Sequence, residues 1–152
     1  MNLAYSGTET IPVSKQTAWT FITDPAKVAA CIPDLVSVKI IDVRRFDPVV
    51  SVAVGPVRGK FTLHATLDPR PANDHLDLKI TGGGFGSVVD VLASADLADA
   101  EGGGTTLTWT ATVTLRGPIA TVGGRVIDAQ AKRVIQTTFA NVKSRLASAT
   151  TV

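Results

Sequence analysis

The stretch GPIATVGGRVIDAQAKRVIQTTFANVKSRLASA, residues 117–149, decides the fold. Its spacing predicts one long helix with Pro118 in the first turn, where the missing N–H of proline leaves no bond unmade. Ile127, Ala131, Val134, Ile135, Thr138, Val142 and Leu146 recur at steps of three and four, while Arg125, Lys132, Gln136 and Lys143 gather on the opposite side. At 1.5 Å per residue such a helix runs to roughly 45 Å. Its single apolar stripe needs a surface to cover it. Gly123 and Gly124 fall inside it, each costing roughly 1 kcal/mol relative to alanine; they allow a close approach by a sheet or a bend.

The remainder of the chain supplies that surface. Residues 2–13 read as a first strand in which Leu3, Tyr5 and Ile11 oppose polar positions, although Gly7 and Glu9 interrupt the alternation. Ser14 then caps a short helix reaching Ile22, and Asp24 with Pro25 opens a second, which stops before Pro33. From Leu35 the apolar period falls to two. Val36, Val38 and Ile40 form one strand, Val50, Val52 and Val54 the next, and Val57, Phe61, Leu63, Ala65 and Leu67 the clearest of the set. Leu76, Leu78 and Ile80 follow, then Val89, Val91, Ala93, Ala95 and Leu97, and finally Leu107, Trp109, Ala111, Val113 and Leu115 among threonines. Seven strands joined mostly by short turns imply an α+β chain: a curved antiparallel meander wrapped around the C-terminal helix, with two short helices after the first strand. We read residues 1–152 as a single domain.

Bulk properties narrow the function. A hydrophobic content of 45% with 18% charged residues excludes a disordered chain. The net charge of +2 is spread along the sequence, so the clustered cations that nucleic acid demands are missing. One cysteine, Cys31, rules out an internal disulfide. The start MNLAYSGTETIPVSK lacks the pattern of a signal peptide, and no apolar run nears the ~20 residues of a spanning helix. The expectation is a cytoplasmic protein with at most peripheral membrane contact; the sequence leaves room for a homodimer.

Chemistry-bearing residues are sparse. His64 and His75 fall on the wet parity of their strands with no acidic or cysteine neighbour at ligand spacing, so both read as surface histidines and no metal site is expected. Cys31 reads as a buried, inert thiol. Asp90 reads as an aspartate on the convex face, and Asp128 with Lys132 as a surface pair one helical turn apart. GGGFG, residues 82–86, lies between two strands and not before a helix, which removes the usual reason for glycine loops to bind phosphate. Phe85 at its tip reads either as a lid over an apolar opening or as packing against the helix end. No catalytic residue and no cofactor is called for.

Several segments resemble the family named for the G component of carbon monoxide dehydrogenase: TDPAKVAACIPD at 23–34, VGPVRGKFTLHATLDP at 54–69, GGFG at 83–86, and residues 102–134 from GGGTTLTW onward. The resemblance spans nearly the whole chain and keeps the motifs in order. It implies the helix-grip fold of the START-like, polyketide cyclase-like superfamily, an apolar cavity between sheet and helix, and no general catalytic machinery. It also implies work beside molybdenum-containing hydroxylases of the carbon monoxide dehydrogenase type, in assembly, membrane recruitment or quinone handling. Members acting at the membrane often carry an apolar C-terminal extension, whereas here the helix gives way directly to SATTV, which puts anchoring in doubt. Combined with the strand parities, the resemblance leads us to expect a quinone or isoprenoid site. Its walls would be Phe61, Leu63, Leu78, Val89, Val91, Trp109, Val113, Val134 and Thr138, with Ile32 and Phe85 near its mouth. The alternatives are an assembly factor acting through its surface, or a cyclase or hydrolase, which would need an acid or base inside the cavity that the sequence does not display.

Overall fold

The computed structural model describes residues 1–72 and 74–149, without the side chains of 148 and 149. Strand β1 (Asn2–Ile11) is followed by α1 (Lys15–Ile22) and α2 (Pro25–Ala30). Then come β2 (Leu35–Ile40), β3 (Arg45–Val54), β4 (Val57–Pro69), β5 (His75–Gly84), β6 (Ser87–Asp99), β7 (Thr105–Arg116) and the helix α3 (Gly124–Ala149). The strands form one antiparallel seven-stranded sheet in the order β1-β7-β6-β5-β4-β3-β2.

Local chemistry sets the boundaries. The Ser14 hydroxyl accepts from the Thr17 N–H at 3.2 Å, and the Asp24 carboxylate accepts from Ala26 and Lys27 at 3.0 and 3.5 Å, with Pro25 in the first turn. Each cap satisfies a backbone donor that would otherwise be orphaned, worth about 0.5–2 kcal/mol. The long helix begins later than its apolar spacing predicts. Pro118–Thr121 form a separate 3₁₀ turn, and Gly123 adopts φ 114°, a conformation natural only to glycine, so the chain breaks there and α3 starts at Gly124. Gly123 is thus the hinge into the helix and not a defect within it.

The register aligns the inward side chains in rows across the sheet. Ile80, Val91, Val113 and Leu3 make one row; Leu67, Leu78, Ala93, Ala111 and Tyr5 make the next; Leu76, Ala95, Trp109 and Gly7 a third. Gly7 and Glu9, which spoil the alternation of β1, do point inward. A methyl group on Gly7 would lie 2.9 Å from the Trp109 ring, so the missing side chain is what admits the indole. Glu9 reaches across to Lys143 of α3 at 2.8 Å, which places that lysine against β1 and not on the far side of the helix as its spacing suggests.

Packing is concentrated at the two ends of the grip. At one end Ile11, Phe46, Leu67, Leu97, Leu107, Val142 and Leu146 join residues of α1 and α2 in a buried cluster. At the other, Val54, Val57, Phe61, Leu115, Ile119 and Ile127 form a second. The helix is also tied down on both flanks: Tyr5 Oη donates to Asp128 at 2.8 Å on the β1 side, and Asn141 donates to the Cys31 carbonyl at 2.9 Å, with Arg133 paired to Asp34, on the other. Its backbone approaches the flanking strands β1 and β3 more extensively than the central ones.

Candidate functional site between sheet and helix

The burial of α3 varies along its length. Ile127, Val142 and Leu146 are buried, yet Ala131, Val134, Ile135 and Thr138, on the same stripe between them, are only part-buried. Beneath them Leu78, Ile80, Val91, Ala93 and Val113 are part-buried too. These belong to strands with neighbours on both edges, so an inward side chain there is wetted only from the concave side. The helix therefore bridges a space between two packed ends.

A groove of about 470 Å³, open to solvent, lies between the end of β3 (Ala53, Val54, Gly55) and the flank of α3 carrying Arg125, Val126, Ala129, Gln130 and Arg133. None of the wall and mouth residues expected from the sequence lines it.

The sequence-named side chains divide between four places. Phe61 is 2% exposed inside the second cluster, so it is packing at that end and not an accessible wall, with Leu63, Val89 and Val113 against the same cluster. Leu78, Trp109 and Ile32 pack against the first cluster. Val91, Val134 and Thr138 lie between, and the Thr138 hydroxyl is spent on the Val134 carbonyl at 2.7 Å. Ile32 and Phe85, expected together at one mouth, are separated, since Ile32 belongs to the α2 end and Phe85 to the opposite one. Phe85 is 70% exposed at the tip of the β5–β6 hairpin, with a left-handed φ of 54° and its ring against Gly59.

Polar groups near the space were not picked out from the sequence. Tyr5 faces the helix, and burial first, then its bond to Asp128, pushes its hydroxyl up to about 12. Glu9 is held by Lys143. The Trp109 indole Nε1 is buried without a hydrogen-bond partner among the described residues, and the ring lies 5.5 Å from that of Phe139. A parity count through Gly7 places Tyr5 and Glu9 on the inner face, so the signal was present.

The remaining candidates are accounted for by their partners. His75, expected to have no acidic neighbour at ligand spacing, has one at each ring nitrogen: Asp77 at 2.9 Å, two residues on along the same face of β5, and Asp96 at 2.6 Å, brought in by pairing with β6. These carboxylates, Asp96 foremost, raise its pKa. His64 pairs with Asp47 at 2.9 Å. Asp90 accepts from Arg116 at 3.0 Å, Asp128 pairs with Lys132 at 3.0 Å, and burial pushes the Cys31 thiol up. Among the described residues no group of three or more His, Cys, Asp or Glu is placed to hold a metal ion. None of their helices is long and apolar enough to cross a membrane.

The sequence profile of CoxG, the G component of carbon monoxide dehydrogenase, matches residues 7–147, nearly the whole chain. The chain belongs to the CoxG family. Solved structures similar to this CoxG-family protein share its helix-grip architecture. A conserved protein from Geobacillus kaustophilus superposes with a TM-score of 0.85 at 22% identity, covering 97% of this chain and 96% of that one. A START superfamily protein from Mycobacterium smegmatis gives 0.74 at 12% identity, covering 97% and 99%. The Zhui aromatase/cyclase from Streptomyces gives 0.69 at 14% identity, covering 97% and 94%. At these identities the likeness speaks for the START-like fold alone. No curated protein sequence matches the CoxG-family chain.

Proposed function

We propose that this CoxG-family protein is a non-enzymatic carrier of an apolar molecule, a quinone or an isoprenoid, serving a molybdenum hydroxylase of the carbon monoxide dehydrogenase type. The observation that carries the reading is the burial profile of α3, closed at Ile127 and at Val142 to Leu146 and part-exposed between. Apolar walls with few polar groups suit a ligand held by burial, at roughly 25 cal/mol per Å² removed from water. The polar groups beside the space favour carriage over cyclisation or hydrolysis. Tyr5, with a pKa of about 12, keeps its proton at neutral pH, and Glu9 is occupied by Lys143, so neither is poised for proton transfer. Titration with decylubiquinone tests this. The expected result is saturable quenching of tryptophan fluorescence that Ala131→Phe abolishes by filling the space; quenching that rises linearly, as for free tryptophan, contradicts it.

A second reading, recruitment through the surface, rests on a separate observation. Val36, Val38, Ile40, Ile41 and Val43 are all exposed, Val43 to 81%, on the edge strand β2 and the turn after it. Exposed apolar clusters of this kind suit a protein partner. Loss of co-purification with the hydroxylase in Val43→Asp, with no effect of Ala131→Phe, would favour this reading over the carrier.

A further inference from the structure

The groove beside α3 differs in chemistry from the space under it. Its wall is apolar at Ala53, Val54, Val126 and Ala129, but its helix side carries two guanidinium groups and an amide, and no carboxylate lines it. The two arginines are not equivalent. Arg133 is held by Asp34, and its Nε donates to the Gln130 side-chain oxygen at 3.3 Å, which leaves the Gln130 amide nitrogen free to donate. Arg125 forms no ion pair or hydrogen bond among the described residues, so its five donors are uncommitted.

We propose that this groove takes the acidic head of an amphiphile, a carboxylate or phosphate, with Arg125 as its anchor and the apolar body directed under α3. This rests on the carrier reading and, of its two cargoes, favours an isoprenoid-like acid or phosphate over a neutral quinone. An anion suits the groove because a free guanidinium binds carboxylate or phosphate through two parallel N–H bonds. The space under the helix is lined mainly by aliphatic side chains, and a bare charge drawn in there would lose its hydration without an ion partner. The head therefore stays in the groove, where solvent and Arg125 meet it. Val126 and Gln130 lie a short way round the helix from the inward stripe, so a chain starting at the head has only to pass the edge of α3.

Displacement of the neutral probe Nile red from the full chain tests the assignment. Its competitors are palmitate, hexadecyl phosphate and hexadecanol, which share one tail and differ in the head. The expected result is that palmitate or hexadecyl phosphate displaces the probe at concentrations at least about tenfold below hexadecanol, a gap of some 1.4 kcal/mol. The advantage should shrink at high salt, vanish in Arg125→Gln and persist in Arg125→Lys, with hexadecanol unaffected; whichever acid is stronger identifies the head. Equal displacement by acids and alcohol overturns the acidic-head proposal and leaves the carrier reading standing. Failure of all three, and of decylubiquinone, overturns both.

Discussion

Gly7 and Glu9 break the alternation of β1, and each break marks a contact made on the inner face. Gly7 yields its volume to Trp109, so Gly7→Ala should cost about 1–3 kcal/mol by forcing the indole out of place, measured by urea unfolding. His75 shows the limit of spacing as a guide. Asp77, two residues on along its own strand, is within reach by spacing alone, but Asp96 stands on β6 and only the register brings it in. Because the carboxylates raise the His75 pKa above about 6.5, its contribution is full below that value and lost as pH rises through the raised value. Asp77 behaves in the opposite sense: the Ser94 hydroxyl first, then His75 and Arg70, hold it at about 2, so its contribution is full above about 3.8 and lost as pH falls toward 2. Melting temperature followed from pH 6 to 8 should decline more in the wild type than in His75→Gln.

At the scale of elements, most of the fold was legible. Period-two apolar runs gave the strands, Ser14 and Asp24 gave the short helices, and the three-four stripe gave α3. The start of α3 was not legible, because apolar residues at 119–122 continue the stripe while the backbone at Gly123 ends it. Nor could the stripe reveal that its middle is less buried than its ends, since periodicity reports direction and not depth. That difference predicts unequal costs. Leu146→Ala, at 1% exposure, should lose about 2–5 kcal/mol, whereas Val134→Ala, over the space, should lose less than about 1 kcal/mol. Ala131→Phe sharpens the contrast: it should leave urea stability within about 0.5 kcal/mol of wild type, where a packed interior would lose about 1–3 kcal/mol.

For the molecule as a whole, the sheet and helix act as two walls clamped at both ends by apolar clusters and along both flanks by polar ties. The sequence named side chains on both walls but not the groove, which forms between the end of β3 and a helix flank of which only Arg125 had been placed, on the side away from the stripe. On the proposed carrier function, folding stability and ligand capacity fall to different residues, the buried ends for one and the part-exposed middle for the other. The most direct test of this division is a native mass spectrum of the chain purified from its own host without detergent or denaturant. The expected spectrum holds a species heavier than the bare chain by the mass of one apolar molecule, released by organic solvent and missing from Ala131→Phe. A spectrum holding only the bare mass, unchanged after incubation with decylubiquinone and palmitate, would contradict it.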